Sequence, residues 1–546
     1  MSKPAFPDDF NLADYFLFDR LGEGLGGKEA VCFGARSWTY AQVAERTERL
    51  GAALQAAGVR PEERVLIILP DTPPFVWSIF ATLKIGAVLA MGNPDAPAAD
   101  LAYLVRYTRA SAVITLPRVA DALADTLREA PGLRRLLLVP DVPTGQDPEA
   151  TGEALAALDG VPAGWLADAL REAPPLRPWA TRRDDVAVWL FTSGSTGRSK
   201  AAIHTHRDFA FNTEVYAKST VGYRRGDRTV SVPRLYFGYA TGTNLFFPFA
   251  VGATACLFAE RPTPDSLYAA IERHRPTVVT NVPTMLGKLL DWDADRAARG
   301  EPGLDLSSVR FSLSAGEALP APLLDRWLAR FGGEVYDGIG SAEMFHIYAT
   351  NRPGDVRPGS LGKAVEGYEI KILPREAEGP GAPPLPPDEI GVLWVKGDSV
   401  ALAYHQDRDK SWQTFHGHWC CTGDLFRIDA EGYLWFAGRA DDLLKVSGLW
   451  VSPIEVEECL MQHPDVALAA VVGALDEGLL KPKAYVVARP EGRARGEALV
   501  AELQRHVKER LSKHKYPRWI ELVDDLPKND RGKIDRKALK AREEQR

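Results

Sequence analysis

The chain has 546 residues, a formal net charge of −7, 45% hydrophobic residues and 25% charged residues. That length exceeds what a single hydrophobic core holds, so at least two domains are expected. The mild acidity argues against a nucleic-acid-binding role, although a local cluster of Lys and Arg still suits an anionic substrate.

The cysteines Cys32, Cys256, Cys420, Cys421 and Cys459 are scattered and form no C-x-x-C pair. They suggest neither a disulfide framework nor a zinc site, and they fit a reducing cytoplasm. The N-terminal stretch MSKPAFPDDFNLADYF has no apolar core after its Lys and does not read as a signal peptide. Residues 237–259 carry no charge over a length able to cross a bilayer. Gly238, Gly242, Pro248 and Gly252 break that stretch, so it reads as buried pieces of a soluble core, and no membrane is expected.

In chain order, residues 36–60 read as a short strand, a helix over Tyr40–Ala57 and a turn at Gly58. A buried strand follows at Val65–Leu69, then a helix near Pro74–Ile85, then apolar runs at Val113–Leu116 and Leu136–Val139. Strands alternating with helices indicate a parallel, doubly wound sheet. Residues 140–180 are rich in Pro, Ala, Gly and acid, and read as a surface excursion with one helix. Alternation resumes with Val186–Phe191, Val278–Val282 and Val309–Leu313. Pro374–Asp388 reads as a loop between strands, and Ile390–Lys396 alternates as a strand should. After Arg439 the character changes to a compact tail. Its predicted elements are strands at Ala467–Val472 and Lys483–Ala488 and a helix over Glu497–Leu511. The expected division is residues 1–440 and residues 441–546.

Directly after the strand Val186–Phe191 comes Thr192-Ser193-Gly194-Ser195-Thr196-Gly197-Arg198-Ser199-Lys200. Two glycines let backbone N–H groups converge on an anion, and hydroxyls and a Lys add donors. Composition alone also fits a Ser/Gly surface loop; the preceding buried strand and the terminal Lys favour phosphate. The spacing does not match a Walker A loop, which excludes a P-loop NTPase.

This loop resembles the signature of the adenylate-forming superfamily of acyl-CoA synthetases, peptide-synthetase adenylation domains and luciferases. Further matches follow in order: Ser314-Ala315-Gly316-Glu317-Ala318-Leu319-Pro320, Asp337-Gly338-Ile339-Gly340-Ser341-Ala342-Glu343, Thr422-Gly423-Asp424, Gly438-Arg439-Ala440-Asp441-Asp442, Lys445-Val446-Ser447-Gly448 and Pro527-Lys528-Asn529-Asp530-Arg531-Gly532-Lys533. The resemblance covers nearly the whole chain. It implies an α/β protein with a large N-terminal region of layered α/β subdomains with mostly parallel sheets and a small β-barrel-like part. A small, mobile α+β C-terminal domain follows.

It also implies roles. Thr192 to Gly197 and Lys200 are similar to the phosphate-binding loop. Ala315, Gly316 and Glu317 resemble the adenine-side loop, with Asp337 to Ser341 completing the nucleotide pocket. Glu343 resembles the Mg²⁺-contacting Glu, a role suited to a cation that keeps most of its waters. Asp424 resembles the ribose-binding Asp, and Arg439 the Arg beside ribose and phosphate. Lys533 resembles the catalytic Lys that meets carboxylate and α-phosphate, so Lys533, Glu343 and Thr192 are the expected catalytic set. Asp441 falls at the hinge position, and Lys445, Ser447 and Gly448 near the CoA path. In isolation each of these residues also reads as a surface charge, a turn glycine or a linker acid.

The segment Ser231–Gly242 and the run Gly340–His346 resemble the acyl pocket of benzoate-CoA ligases. Tyr236, Phe237, Ala240, Ile339, Gly340 and His346 are the implied pocket positions, where aromatic walls suit a flat ring. One departure stands out. Ala342 occupies a position commonly held by Thr, whose hydroxyl contacts the AMP phosphate, at a cost on the order of 1 kcal/mol. The implied reaction is ATP- and CoA-dependent ligation of benzoate or a substituted benzoate through an aryl-AMP. The alternatives are a free-standing aryl-acid adenylation enzyme that loads a carrier protein, a luciferase-like oxygenase and a non-catalytic nucleotide-binding module. Dimers occur among similar enzymes, so a homodimer is compatible with the resemblance.

Overall fold

The computed structural model describes residues 4–544, apart from 154, 194–197, 318, 440–441, 447–448, 477–478 and 529–533. Among these residues the N-terminal region is built on two large sheets of seven and nine strands. The seven-stranded sheet runs in the order Ala163–Trp165, Arg135–Leu138, Ala112–Thr115, Arg64–Ile68, Val88–Met91, Val186–Ser193, Ser199–Thr205. All its pairings are parallel except the last, where Val186–Ser193 and Ser199–Thr205 form an antiparallel hairpin. The central parallel strands are largely apolar and buried, with Arg64 and Arg135 at the strand starts, as a parallel sheet covered on both faces requires. The helix Tyr40–Ala56 begins with a capping box between Thr39 and Gln42. It packs against the wholly apolar start of Pro73–Lys84, whose residues are buried from Pro73 to Leu83. The predicted surface excursion contributes the edge strand Ala163–Trp165 as well as its one helix, Leu166–Glu172.

In the nine-stranded sheet, Glu29–Phe33, Thr254–Leu257, Arg228–Ser231, Val278–Asn281, Phe311–Ala315 and Val335–Gly340 are parallel neighbours in that order. Antiparallel strands close both edges: Arg36–Thr39 on one side, Ile347–Thr350 and Lys363–Ala364 on the other. No helix among the described residues is long and apolar enough to cross a membrane. The uncharged stretch 237–259 divides into the short helical pieces Gly238–Thr241, Gly242–Phe246 and Phe247–Ala250 and the strand Thr254–Leu257.

The β-barrel-like part expected between the large sheets and the tail is a five-stranded antiparallel sheet that includes Glu369–Leu373, Gly391–Lys396 and Trp419–Ile428. The strand expected at Ile390–Lys396 is Gly391–Lys396, buried from Gly391 to Val395. Leu393 and Val395 join the main core, while Val392 and Trp394 join a separate cluster with Leu373 and Leu425. The alternation in the sequence therefore marks two apolar environments, one on each face.

In the tail, Val466–Asp476, Leu479–Ala488 and Trp519–Leu522 form a three-stranded sheet. The helices Pro453–Met461 and Glu497–Arg510 contribute to a core of their own, with Val456, Leu499 and Leu503 at its centre. The final helix, Arg536–Glu544, is tied down by ions: the Arg536 guanidinium meets the buried Glu457 carboxylate, and Lys483 reaches Glu543 at 2.8 Å. The expected domain boundary at 440/441 lies outside the described residues.

Candidate active site

In open α/β sheets, ligands bind beyond the carboxyl ends of the parallel strands. Three of the groups singled out in the sequence leave the nine-stranded sheet there. The segment from Val232 to Gly242 follows Arg228–Ser231, Gly316 and Glu317 follow Phe311–Ala315, and Ser341 to Glu343 follow Val335–Gly340. Thr192 and Ser193 end their strand in the other sheet. The two sheets meet at Gly238, where an added Cβ would lie 3.0 Å from the Leu190 side chain and 3.6 Å from the Phe345 carbonyl oxygen.

A tight reversal shapes the centre. A β-bulge falls between Ile339 and Gly340 as their strand pairs with Ile347–Thr350. A Cβ on Gly340 would lie 2.5 Å from the His346 carbonyl oxygen, so only glycine fits. Between them Phe345 has φ 72° and ψ −50°, a strained γ-turn geometry. The reversal sends Glu343 and His346 into different surroundings.

On the Glu343 side, the Tyr404 hydroxyl donates to Glu343 Oε1 at 2.6 Å, and the Ala401 amide donates to the Glu343 carbonyl at 2.8 Å. Burial, then the adjacent carboxylate, pushes the Tyr404 hydroxyl above its usual range and keeps it a donor. Lys200 Nζ stands 2.9 Å from Asp407 Oδ2 and 5.6 Å from the Tyr404 ring centroid. Its hydrogen bond holds the Asp407 carboxyl below the usual carboxylate range. Tyr404 and Asp407 were not legible in the sequence; a backbone bridge between Ala202 and Tyr404 brings them to the hairpin.

His204 was missed as well. Its Nε2 lies 2.6 Å from the Ala342 carbonyl and its Nδ1 2.8 Å from Asp208 Oδ2, wholly buried. Both ring nitrogens face oxygen acceptors, and Thr205 donates to the same carboxylate through its amide and hydroxyl. This network fixes the carbonyl immediately before Glu343. The Thr205/Asp208 capping pattern at the start of the helix His206–Asn212 was its sequence signal.

On the other side, His346 is buried among the rings of Phe247, Tyr239 and Tyr216, at centroid distances of 4.7, 5.4 and 5.6 Å. Burial lowers its pKa to about 4, so the ring is neutral near pH 7. His346 Nε2 donates to the Tyr239 carbonyl at 3.0 Å, which leaves Nδ1 as an acceptor without a partner among the described residues. The Tyr239 hydroxyl is likewise buried and has no partner among them. Gly242 leaves room for His346, since its Cβ would lie 2.5 Å from Nε2. Ala240 is fully buried, while Tyr236 and Phe237 are half-buried with ring centroids 4.7 Å apart. The buried Asp71 carboxylate accepts from the Leu235 amide at 2.9 Å and anchors this segment.

The residues expected on the nucleotide side are placed as follows. Gly316 has φ 92°, and the Glu317 carboxylate accepts from the Thr284 hydroxyl at 2.7 Å, at the start of the helix Pro283–Ala298. A Cβ on Gly338 would lie 2.8 Å from the Ala349 carbonyl oxygen. Asp337 is buried, its carboxyl pushed up to about 8 by desolvation, and its Oδ1 has no partner among the described residues. The buried Ser341 hydroxyl has none among them either. Asp424 and Arg439 face each other across an antiparallel pair, 3.4 Å apart. Lys445 is exposed on the strand Leu444–Val446. Gly194, Ser195, Thr196, Gly197, Asp441, Ser447, Gly448 and Lys533 lie outside the described residues.

The AMP-binding enzyme family model matches residues 18–405, and the AMP-binding enzyme C-terminal domain model matches residues 455–533. The chain belongs to the AMP-binding enzyme family. A benzoate–CoA ligase of Thauera aromatica is 40% identical over 98% of this chain and 96% of the relative. Among solved structures, an anthranilate CoA ligase in complex with anthranoyl-AMP superposes with a TM-score of 0.87 at 35% identity, covering 100% of this chain and 99% of the other. A benzoate CoA ligase from Burkholderia xenovorans LB400 gives 0.84 at 38% identity, covering 97% and 99%.

Two outcomes are expected within this family. Tyr404→Phe removes a hydrogen bond to a carboxylate, about 1.5–3 kcal/mol. Acid-dependent ATP–pyrophosphate exchange should therefore fall about tenfold or more with the Tm little changed; an unchanged exchange rate would show that Glu343 needs no such support. For pH, His346 and His206 both have folded pKa values lowered by burial to about 4, against an ordinary 6.5. The unfolded chain then binds more protons below pH 6.5, so their contribution to stability is full above that pH and is lost as pH falls through 4. His346→Asn should flatten this part of a Tm-versus-pH profile.

Proposed function

We propose that this protein is an acid–thiol ligase that uses ATP and CoA to convert benzoate or a substituted benzoate, such as 2-aminobenzoate, to its aryl-CoA thioester. The observation that carries the reading is the divergence at Phe345, which puts a carboxylate–tyrosine–lysine group on one side and a dry aromatic pocket around His346 on the other. Full-length similarity to benzoate– and anthranilate–CoA ligases supports it.

A carboxylate is a poor electrophile because its leaving group would be oxide. ATP resolves this. A carboxylate oxygen attacks the α-phosphorus, giving aryl-AMP and pyrophosphate; the CoA thiol then attacks the aryl carbonyl, and AMP departs. The first step brings anion to anion, so positioning and positive charge supply the catalysis. In this reading Thr192 to Gly197 and Lys200 hold the phosphates, with Lys200 exchanging the Asp407 carboxylate for phosphate oxygens. Asp424 and Arg439 hold the ribose side, and Ala315 to Glu317 with Asp337 to Ser341 line the base. Ile339 and Gly340 border the aryl ring. Glu343, an oxygen donor oriented by Tyr404, suits Mg²⁺, which when bound neutralises phosphate charge. Lys533 completes adenylation, and the tail then turns about Asp441 to bring the thiol along Lys445, Ser447 and Gly448. The co-substrates and the five free cysteines fit the reducing cytoplasm; a homodimer is compatible with the reading.

The unpartnered His346 Nδ1 and Tyr239 hydroxyl favour a ring that bears an amino or hydroxyl group, since a buried polar atom gains most from being satisfied. A thioester assay across benzoate, 2-aminobenzoate, hydroxybenzoates, cinnamate and short fatty acids, with free CoA or a carrier protein as acceptor, tests the reading; preference for fatty acids would overturn it. His346→Leu should lower kcat/KM for the substituted acid about tenfold more than for benzoate. Lys533→Ala should abolish most adenylation yet spare thioester formation from supplied aryl-AMP. Equal loss in both half-reactions would remove Lys533 from the first step.

A further inference from the structure

Cys32 and Cys256 are register partners on the parallel strands Glu29–Phe33 and Thr254–Leu257. Their side chains project from the same face of the sheet into one cluster with Leu267 and Ile271 of the helix Pro264–His274. His274 closes that helix, and its ring joins the two sulfurs. One donor atom from each residue lies within 4.8 Å of the others, and all three residues are buried. Arg228 braces the group: its guanidinium reaches Cys32 Sγ at 3.4 Å, the Glu29 carboxylate at 2.6 Å and the His274 carbonyl at 2.9 Å.

Buried thiols in apolar surroundings are inert and are pushed up in pKa. Here the Cys256 thiol is instead pulled down by its hydrogen bond with Cys32, then by His274 and Arg228, while the same pairing pushes the Cys32 thiol up, so the two sulfurs share one hydrogen bond. Hydrophobic packing alone does not account for two facing thiols and an imidazole buried together beside a partly exposed ion pair.

We propose that Cys32, Cys256 and His274 bind a borderline-soft divalent cation of the zinc type, with a fourth position open to a small ligand. Two thiolates and one imidazole form a zinc-type donor set, and bonds of about 2.3 Å to sulfur and about 2.0 Å to nitrogen place tetrahedral ligand atoms roughly 3.3–3.8 Å apart. The observed spread, within 4.8 Å, needs only a small contraction to close. Charge also balances: two thiolates offset the dication, and Glu29 offsets Arg228 beside it. Binding displaces the remaining thiol protons. The ion would cross-link an N-terminal strand, an interior strand and a helix end, and its binding free energy would add to folding. This role is separate from the Mg²⁺ proposed at Glu343.

The test uses the full chain, reduced, nucleotide-free and stripped with chelator, then titrated with Co²⁺ and Zn²⁺. A stoichiometric thiolate-to-cobalt charge-transfer absorption that zinc displaces, together with a Tm raised by zinc, is expected. Cys32→Ser and Cys256→Ser should each abolish both signals, and Cys421→Ser should keep both. The proposal is overturned if reduced wild-type protein shows no such absorption, or if the absorption survives in the Cys32→Ser/Cys256→Ser double variant. Oxidation that consumes these two thiols in protein lacking any cobalt signal would assign them to a disulfide instead, which also overturns it. The wild-type spectrum decides the matter even if the variants fold poorly.

Discussion

The backbone of Gly340 lies against that of His346 so closely that a Cβ would stand 2.5 Å from a carbonyl oxygen. Much of the site depends on this contact. It lets the strand Val335–Gly340 bulge and reverse within a few residues, and it leaves Phe345 in a conformation that L residues rarely adopt. The strain persists because the neighbours over-determine it: the Phe345 ring packs edge-on to His204, 4.6 Å between centroids, and His204 holds the Ala342 carbonyl.

Two environments follow from that reversal. Around Glu343 the partners are a hydroxyl, a lysine and a second carboxylate, which suit phosphate and a hard cation. Around His346 the partners are aromatic rings, and burial keeps the imidazole neutral. Adenylation needs both at once, because a charged phosphate must meet a carboxylate whose ring prefers a dry pocket. Neighbouring parallel strands deliver both sides from their carboxyl ends, so the chemistry inherits the rigidity of the sheet.

The Lys200–Asp407 ion pair shows how the charge on this side is balanced within the fold. Lys200 is mostly covered, and a carboxylate 2.9 Å away satisfies its charge. In the proposed reaction a phosphate oxygen takes the place of that carboxylate, which is a local exchange of one anion for another. His204 and Asp208 act differently: wholly buried, they have no such exchange open to them and serve position alone.

The sequence by itself determined the family and the order of the parts. Local patterns sufficed for that: apolar strands, turn glycines and hydroxyl–lysine loops are short-range features, and Tyr40–Ala56, Val186–Ser193 and Glu497–Arg510 fall where periodicity put them. Periodicity found the strand Gly391–Lys396 but not its burial, because an alternating strand looks the same whether one face meets water or a second apolar cluster. Only the tertiary structure decided which side chains meet across long separations. Tyr404 reaches Glu343, His204 reaches Ala342, and Cys32 finds Cys256 with His274, although each pair or trio is scattered along the chain. Sheet pairing and strand crossover create those meetings, and neither is written in any local run of residues.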